Sequence, residues 1–597
     1  MKSNRLRKKA LPVVLATTLA VSGFASSANY VLASDQAKLN QKIESPPYLM
    51  KAWDSPEGLT KKEAMYAFLE SKVLQPKAKS FSSANVQKQF KIIEKKADKK
   101  TNSYHFRTVQ QINDIPVYGS EQTITLDGAN DVTAYFGKVT QSPSRSTVDT
   151  KAKLTKDDAV EIAKSNIEEK IGNVKNYDGI ESKLLLYPTN GDLKLAYLIK
   201  ASTSVPAPGY WHYFIDAKSG KVIKHFNKMH ELSPVMETTE NSYTPTSDTE
   251  VSPTELPNEA EPVTAKGMDI FGNIKKFNAV KDIETGQRYL YDGTRAKGIH
   301  TFEAKRIDEF LFLVFSALFG FTGYEVTSSS NFFYDPAAIS AHINAGKVYD
   351  YYKETFNRNS LDNDGMKLIS TVHIGSKWNN AGWNGEQMLY GDGDGNTMIS
   401  LSGSMDVIGH EMTHGVITNT ADLVYEGESG ALNESIADIM GAFIEDKNGE
   451  ALWTLGEDIY TPNIPGDGLR NMKDPSSVYI GEEYTESGYY PDHYSELYTG
   501  ELDNGGVHVN SSINNKAAYL ITEGGTHYGV TVSGIGKDKA EKIYYRALTL
   551  YLTASSDFSD MRQAAIQAAS DLYPGQNGEP SPEVHSVMAA YDAVGVH

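Results

Sequence analysis

Between Asp35 and His230, apolar and polar side chains alternate at every second position in short runs. Examples are Tyr104 to Val109 and Gln122 to Leu126, the second running into an Asp127-Gly128 turn. A period of two predicts half-buried strands. Lys183 to Tyr187, Leu193 to Ile199 and Trp211 to Asp216 repeat the pattern, with a Lys218-Ser219-Gly220 turn before Lys221-Val222-Ile223, whereas Asp157 to Ile171 has helical spacing. Two small α+β units are expected, 34–150 and 151–230. Downstream, 263–334 reads as β-rich and Gly-punctuated. Asp335-Pro336 then opens a helix, with Asp as cap and Pro at its first position, that runs to about Phe356. A strand follows over Met366 to Ile374, and beyond Ser404 helical patterns prevail, including Asp538 to Tyr551, Phe558 to Leu572 and Pro582 to Val594. The expected fold class is therefore α+β: a two-lobed unit, β-rich over 263–403 and mainly helical over 404–597, preceded by the two small units.

Two apolar runs, Ala10 to Val21 and Phe310 to Phe321, are each twelve residues long. At about 1.5 Å per residue such a helix cannot cross roughly 30 Å of hydrocarbon. The first follows Lys2, Arg5, Arg7, Lys8 and Lys9 and leads to Val31-Leu32-Ala33, the layout of a secretory signal peptide over 1–33 cut after Ala33, with Ala25 or Ala28 as alternative sites. Export to the extracellular space is expected, with no membrane contact in the mature form. The second run reads as buried core, with a surface or membrane contact as the alternative. Residues 231–262 interleave Pro234, Pro245, Pro253, Pro257 and Pro262 with Thr, Ser and Glu. That composition cannot bury enough apolar area to fold, so it reads as a linker open to a maturation cut.

The 597 residues carry 58 Lys and Arg against 76 Asp and Glu, a net charge of −18 that argues against nucleic-acid binding. Cysteine is absent, which removes disulfides, thiolate nucleophiles and cysteine metal sites. Any metal must be held by His, Asp or Glu. Residues 410 to 414 read His-Glu-Met-Thr-His. On a helix, positions i and i+4 share one face, so His410 and His414 can grip one ion while Glu411 projects beside it. A third ligand is available in Glu434, within Gly430-Ala-Leu-Asn-Glu-Ser-Ile-Ala-Asp438. Glu434 and Asp438 are themselves i and i+4, so one can ligate while the other accepts a ligand imidazole N–H. Two His, one Glu and an open position make a catalytic zinc site.

These motifs, together with Asp503-Asn-Gly-Gly-Val-His508, resemble the thermolysin family of neutral zinc endopeptidases, bacillolysin-like precursors included, over essentially all of 263–597. The preceding region is similar to the family's two-part propeptide. The resemblance implies His410, His414 and Glu434 as zinc ligands, Glu411 as general base, and Asp438 and Asn433 as partners of the histidines. Tyr425 and His508 would stabilise the oxyanion, with Asp503 orienting His508. It further implies Asn380, Ala381 and Arg470 as holders of substrate backbone. Met398, Leu401, Val407, Leu455, Ile459 and Leu469 would form an apolar pocket that favours cleavage before Leu, Ile, Val or Phe; Gly382 stands where the family often has an aromatic residue. Calcium is implied at Asp406, Glu445 and Glu457, with Glu450 as a helper. A second calcium loop is implied at Tyr460, Thr461, Ile464 and Asp467, although acidic loops are commonly just solvated. Gly391-Asp-Gly-Asp-Gly395 fits neither a calcium nor a phosphate loop and reads as a turn. The expected partners are protein and peptide substrates and the chain's own propeptide, as folding aid and inhibitor, around a monomer. Two rivals were separable: a zinc aminopeptidase lacks here any motif for capturing a substrate amino terminus, and a non-catalytic metal protein would have lost Glu411, Tyr425 or His508.

Overall fold

The computed structural model describes residues 53–74, 86–140, 148–189 except 176 and 178, 192–203, 209–228 and 256–597 except 258 and 578. The signal segment and most of the linker lie outside these residues. The N-terminal region forms an eight-stranded sheet from β1 (Phe90–Asp98), β2 (Ser103–Ile112), β3 (Ile115–Leu126), β4 (Val132–Gly137), β5 (Gly179–Thr189), β6 (Asp192–Thr203), β7 (Gly209–Asp216) and β8 (Val222–Asn227). The order is β1-β2-β3-β5-β6-β7-β8, with β4 on the side of β3. The two expected units are thus joined into one sheet path, through a single parallel pairing of Val117 with Leu186. Each half keeps its own apolar cluster under its own helix, α1 (Lys61–Phe68) or α2 (Lys156–Ile171). Both helices start at a reciprocal cap, Thr60 with Glu63 and Thr155 with Asp158, which satisfies backbone donors that a helix start leaves open.

The next strand starts earlier than the composition suggests. β9 (Ala260–Met268) and β10 (Ile274–Asp282) form a hairpin whose register extends to Ala260 opposite Asp282, and Lys281 pairs with Glu261 at 2.8 Å. Short strands flank the hairpin in a five-stranded sheet. A second sheet, six-stranded, carries β11 (Ile299–Glu303), β12 (Leu368–Ile374), β13 (Ala381–Trp383) and β14 (Met388–Gly391) in the order β11-β12-β14-β13, so β13 is an edge. The apolar run folds as α3 (Glu309–Phe319), with Phe312 and Phe321 buried in a satellite cluster against Ile374 and Leu389. No helix among the described residues is long and apolar enough to cross a membrane.

α4 (Pro336–Phe356) begins as expected, the Asp335 carboxylate accepting the Ala338 N–H at 3.0 Å. α4 packs beneath both sheets and against the helical lobe, which comprises α5 (Met405–Thr418), α6 (Gly427–Glu445), α7 (Asp503–Glu523), α8 (Lys537–Arg546), α9 (Phe558–Leu572) and α10 (Pro582–Ala593). The helix expected over 538–551 is α-helical only to Arg546 and finishes in a wider π-type turn, Ala547–Tyr551. One continuous apolar core runs through both lobes.

Candidate active site

Every residue of α5 from Met405 to Ile417 is buried, as are residues 430 to 444 of α6. Two such helices can lie close because they meet at glycines. A Cβ on Gly441 would come within 2.5 Å of the Asp406 carbonyl oxygen, and one on Gly409 within 3.0 Å of Gly441 Cα. This approach brings Glu434 of α6 onto the face of α5 that carries His410 and His414. The Nε2 atoms of the two histidines are 3.0 Å apart, and the Glu434 carboxylate lies 3.4 Å from His410 Nε2 and 3.5 Å from His414 Nε2.

The far ring nitrogens decide what belongs between them. His410 Nδ1 is 2.7 Å from the Asp438 carboxylate. His414 Nδ1 is 2.8 Å from Oδ1 of Asn433, whose amide nitrogen donates to the Leu423 carbonyl at 3.1 Å. Both acceptors keep the proton on Nδ1. With Nδ1 protonated, His414 turns its Nε2 lone pair towards His410 Nε2 and the Glu434 carboxylate, so the three donor groups converge on one point. Burial lowers His414 to about 4, whereas Asp438 and Glu434 overcome the same burial at His410 and raise it to about 10. One site thus favours bare nitrogen and the other favours positive charge. The donor set fits a tetrahedral divalent ion of the zinc type.

Glu411 is buried beside this point, and neither of its oxygens has a hydrogen-bond partner. Burial, helped by Glu434 and opposed by His410, pushes it up to about 7, suited to a group that takes and returns a proton near neutrality. On the opposite side, Tyr425 donates to Glu434 through its hydroxyl, which lies 3.2 Å from His508 Nε2. Asp503 accepts the His508 backbone N–H at 2.8 Å and lies 2.6 Å from Nδ1. Burial opposes charge on His508, but Asp503 and Glu434 hold it up at about 9. The turn before His508 is unusual: Asp503, Asn504, Gly505 and Gly506 all have positive φ, between 47° and 84°. Two of the four are glycine, for which this region costs little.

Comparison with known proteins places this geometry. Residues 264–418 match the family model "Thermolysin metallopeptidase, catalytic domain" and 421–596 its "alpha-helical domain". Neutral protease B of Bacillus subtilis (strain 168) is 43% identical over 588 residues, covering 97% of this chain and 99% of its own. The chain belongs to the thermolysin family of metallopeptidases. Bacillolysin of Brevibacillus brevis is 40% identical (98% and 99% covered) and thermolysin of Bacillus sp. (strain EA1) 38% (94% of each). Residues 88–139 match the fungalysin/thermolysin propeptide motif and 153–226 the peptidase propeptide and YPEB domain, so the peptidase carries an intramolecular propeptide.

Asn380 and Ala381 stand at edge strand β13, where Asn380 accepts the Gly391 N–H at 3.0 Å and its side chain accepts that of Ala381 at 3.0 Å. Arg470 is 2% exposed and clamps Asp438 with two donors at 2.8 and 2.7 Å. Met398, Leu401, Val407, Ile459 and Leu469 lie in the main core, with Leu455 buried beside them. Asp406, Glu445 and Glu457 converge as a second carboxylate group, but two features were not anticipated. Glu450 does not join it; its side chain is 82% exposed and pairs with Lys473 across the neighbouring loop. Lys447 does join, bonding Glu457 and reaching Glu445 at 3.3 Å and Asp458 at 2.9 Å. In the second loop Thr461 donates to Asp467, while Ile464 is exposed and Tyr460 bridges to Met398. Gly391 closes β14 and residues 392–397 form an irregular connection, with Asp394 accepting the backbone N–H groups of Asn396 and Thr397 at 2.7 Å. Sequence reasoning missed Asn515, which donates to Asp438 at 2.8 Å; its position seven residues after His508 on α7 was the available signal.

Proposed function

We propose that the chain is the secreted precursor of a zinc endopeptidase that cuts on the amino-terminal side of bulky apolar residues. In this reading 1–33 is the signal, 34–230 the propeptide and 231–262 the segment where maturation separates it from 263–597. The observation that carries the proposal is the convergence of His410 Nε2, His414 Nε2 and the Glu434 carboxylate, with Glu411, whose oxygens have no hydrogen-bond partner, alongside.

His410, His414 and Glu434 would hold zinc, which supplies Lewis acidity towards a carbonyl and a water molecule when bound. Glu411 takes the proton of the attacking water and passes it to the leaving amide nitrogen. Tyr425 and protonated His508 donate to the carbonyl oxygen as it gains charge, each worth on the order of 3 kcal/mol when preorganised. Asp503 keeps His508 turned to that oxygen. Asn380 and Ala381, at edge strand β13, with Arg470, would align substrate backbone. Met398, Leu401, Val407, Leu455, Ile459 and Leu469 would accept the apolar side chain that follows the scissile bond. Asp406, Glu445 and Glu457 are assigned to calcium, as is the loop of Tyr460, Thr461, Ile464 and Asp467; both would stiffen a protein that has no disulfides. The test is digestion of peptides blocked at both ends, with cut positions read by mass spectrometry. Cleavage before Leu, Ile, Val or Phe is expected; cleavage only of peptides with a free amino terminus would overturn the endopeptidase assignment.

A further inference from the structure

Strand β8 is an outer strand of the propeptide sheet, bonded on one side to β7. Alternate residues of an extended chain share a face, so Lys224, Phe226 and Lys228 point the same way. Against that face runs the segment between α5 and α6 that carries Tyr425, and it alternates too. Leu423 and Tyr425 are fully buried towards the catalytic interior, while Asp422, Val424 and Glu426 face outward. Lys224 pairs with Glu426, Val424 packs into the apolar cluster containing Phe226, and Lys228 meets Asp422 at 3.0 Å. The partners advance by two residues on one chain as they retreat by two on the other, which is an antiparallel side-chain register of cation, aromatic and cation on acid, apolar and acid. One further bond reaches a different segment: the amide of Asn504, in the left-handed turn beside Asp503, donates to the Asn227 carbonyl at 3.0 Å.

We infer that β8 is the strand through which the propeptide acts on the catalytic centre, docking in fixed register behind the two segments that present Tyr425 and His508. The inference rests on the propeptide reading above and adds a second hold to the bonds that Arg107, Thr123 and Lys138 make with residues 551–557. None of these contacts involves a residue assigned to the zinc site or to substrate. The grip works from the outer surface: it adds to the ties that 422–426 makes within the catalytic unit, among them the Asn433 amide on the Leu423 carbonyl at 3.1 Å and the Val424 N–H on the Ala554 carbonyl at 2.8 Å, and it braces a turn of four positive-φ residues.

The test is hydrogen–deuterium exchange on the full chain, kept uncut by Glu411→Gln. Lys224→Glu with Lys228→Glu is compared with Asp422→Lys plus Glu426→Lys, and with all four together. Each reversed pair is expected to speed exchange in 421–426 and 500–508 at least about tenfold while α4 stays protected, and the fourfold swap to restore protection to within about threefold. Should a reversed pair prevent folding, Lys224→Gln with Lys228→Gln is expected to give a smaller increase in the same peptides. Unchanged exchange in those peptides, or no recovery in the fourfold swap, overturns the register. Failure of the propeptide reading would instead appear as normal refolding of 263–597 without residues 34–230, a result that leaves the exchange pattern untouched.

Discussion

Replacing Asp438 with asparagine should weaken the metal site and the fold together, because this one carboxylate serves four donors. One oxygen faces His410 Nδ1 and Arg470 Nη2, both at 2.7 Å; the other faces Arg470 Nε and Asn515 Nδ2, both at 2.8 Å. Asparagine keeps the shape but has one acceptor oxygen, so whichever way its amide turns, two buried donors meet a donor. The larger loss is charge. Arg470 is buried and paired with Asp438; breaking one side of a buried pair costs about 3–5 kcal/mol. The orphaned donors account for part of that same sum and are not added again. For a unit of this size the loss corresponds to a fall in melting temperature on the order of 10 °C. Zinc affinity should fall about 10- to 100-fold, because His410 loses the charged partner that orients its ring and raises its basicity. The assays are thermal unfolding of the zinc-loaded protein and competition with a chelator of known affinity. An Asp438→Asn protein that holds zinc as tightly as the parent and melts at the same temperature would refute the reasoning.

Three further outcomes follow from the same contacts. Glu411→Gln should retain one zinc per chain while peptide hydrolysis drops by about 10²–10⁴-fold, measured by metal analysis and by turnover on one preparation. His373 lies between two carboxylates, 2.6 Å from Asp392 and 3.0 Å from Asp335; burial opposes its charge, but the two acids raise it from an ordinary 6.5 to about 10. A raised folded value means that its contribution, on the order of 3 kcal/mol, is complete below pH 6.5 and fades as pH rises towards 10. His373→Asn should therefore cost much stability in denaturant unfolding at pH 6 and little at pH 10; an equal cost at both would contradict the ion triad. Lys447→Ala leaves Asp406, Glu445 and Glu457 without their nearest ammonium, so the variant's melting temperature should fall further than the parent's on calcium chelation, and equal falls would remove Lys447 from the cluster's charge balance.

The site was legible where chemistry follows local periodicity. His410, Glu411 and His414 are one helical turn, and Glu434 with Asp438 is another, so spacing alone sets which side chains share a face. The Asp335-Pro336 start of α4 was readable because a cap and a fixed φ act within three residues. What spacing could not reveal is how two faces meet. The crossing at Gly409 and Gly441, the bond from Asn515 to Asp438 and the arrival of Lys447 among the acids all depend on tertiary approach. Glu450 shows the same limit in reverse: an acid near the expected cluster in sequence found Lys473 across the loop instead. The merging of the two N-terminal units rests on the pairing of Val117 with Leu186 and on an apolar cluster shared by Ile112, Val117, Leu186 and Leu195, contacts that alternation within either unit does not predict. The apolar run at 310–321 folds as α3, with Phe312 and Phe321 buried in a satellite cluster.

The most direct measurement is zinc content alongside casein hydrolysis for the matured protein, taken as purified, after removal of transition metal, and after zinc is returned. The account requires one zinc per chain, loss of hydrolysis with loss of the ion, and recovery on its return, with His414→Ala unable to recover. Casein digestion undiminished in the stripped protein would contradict it.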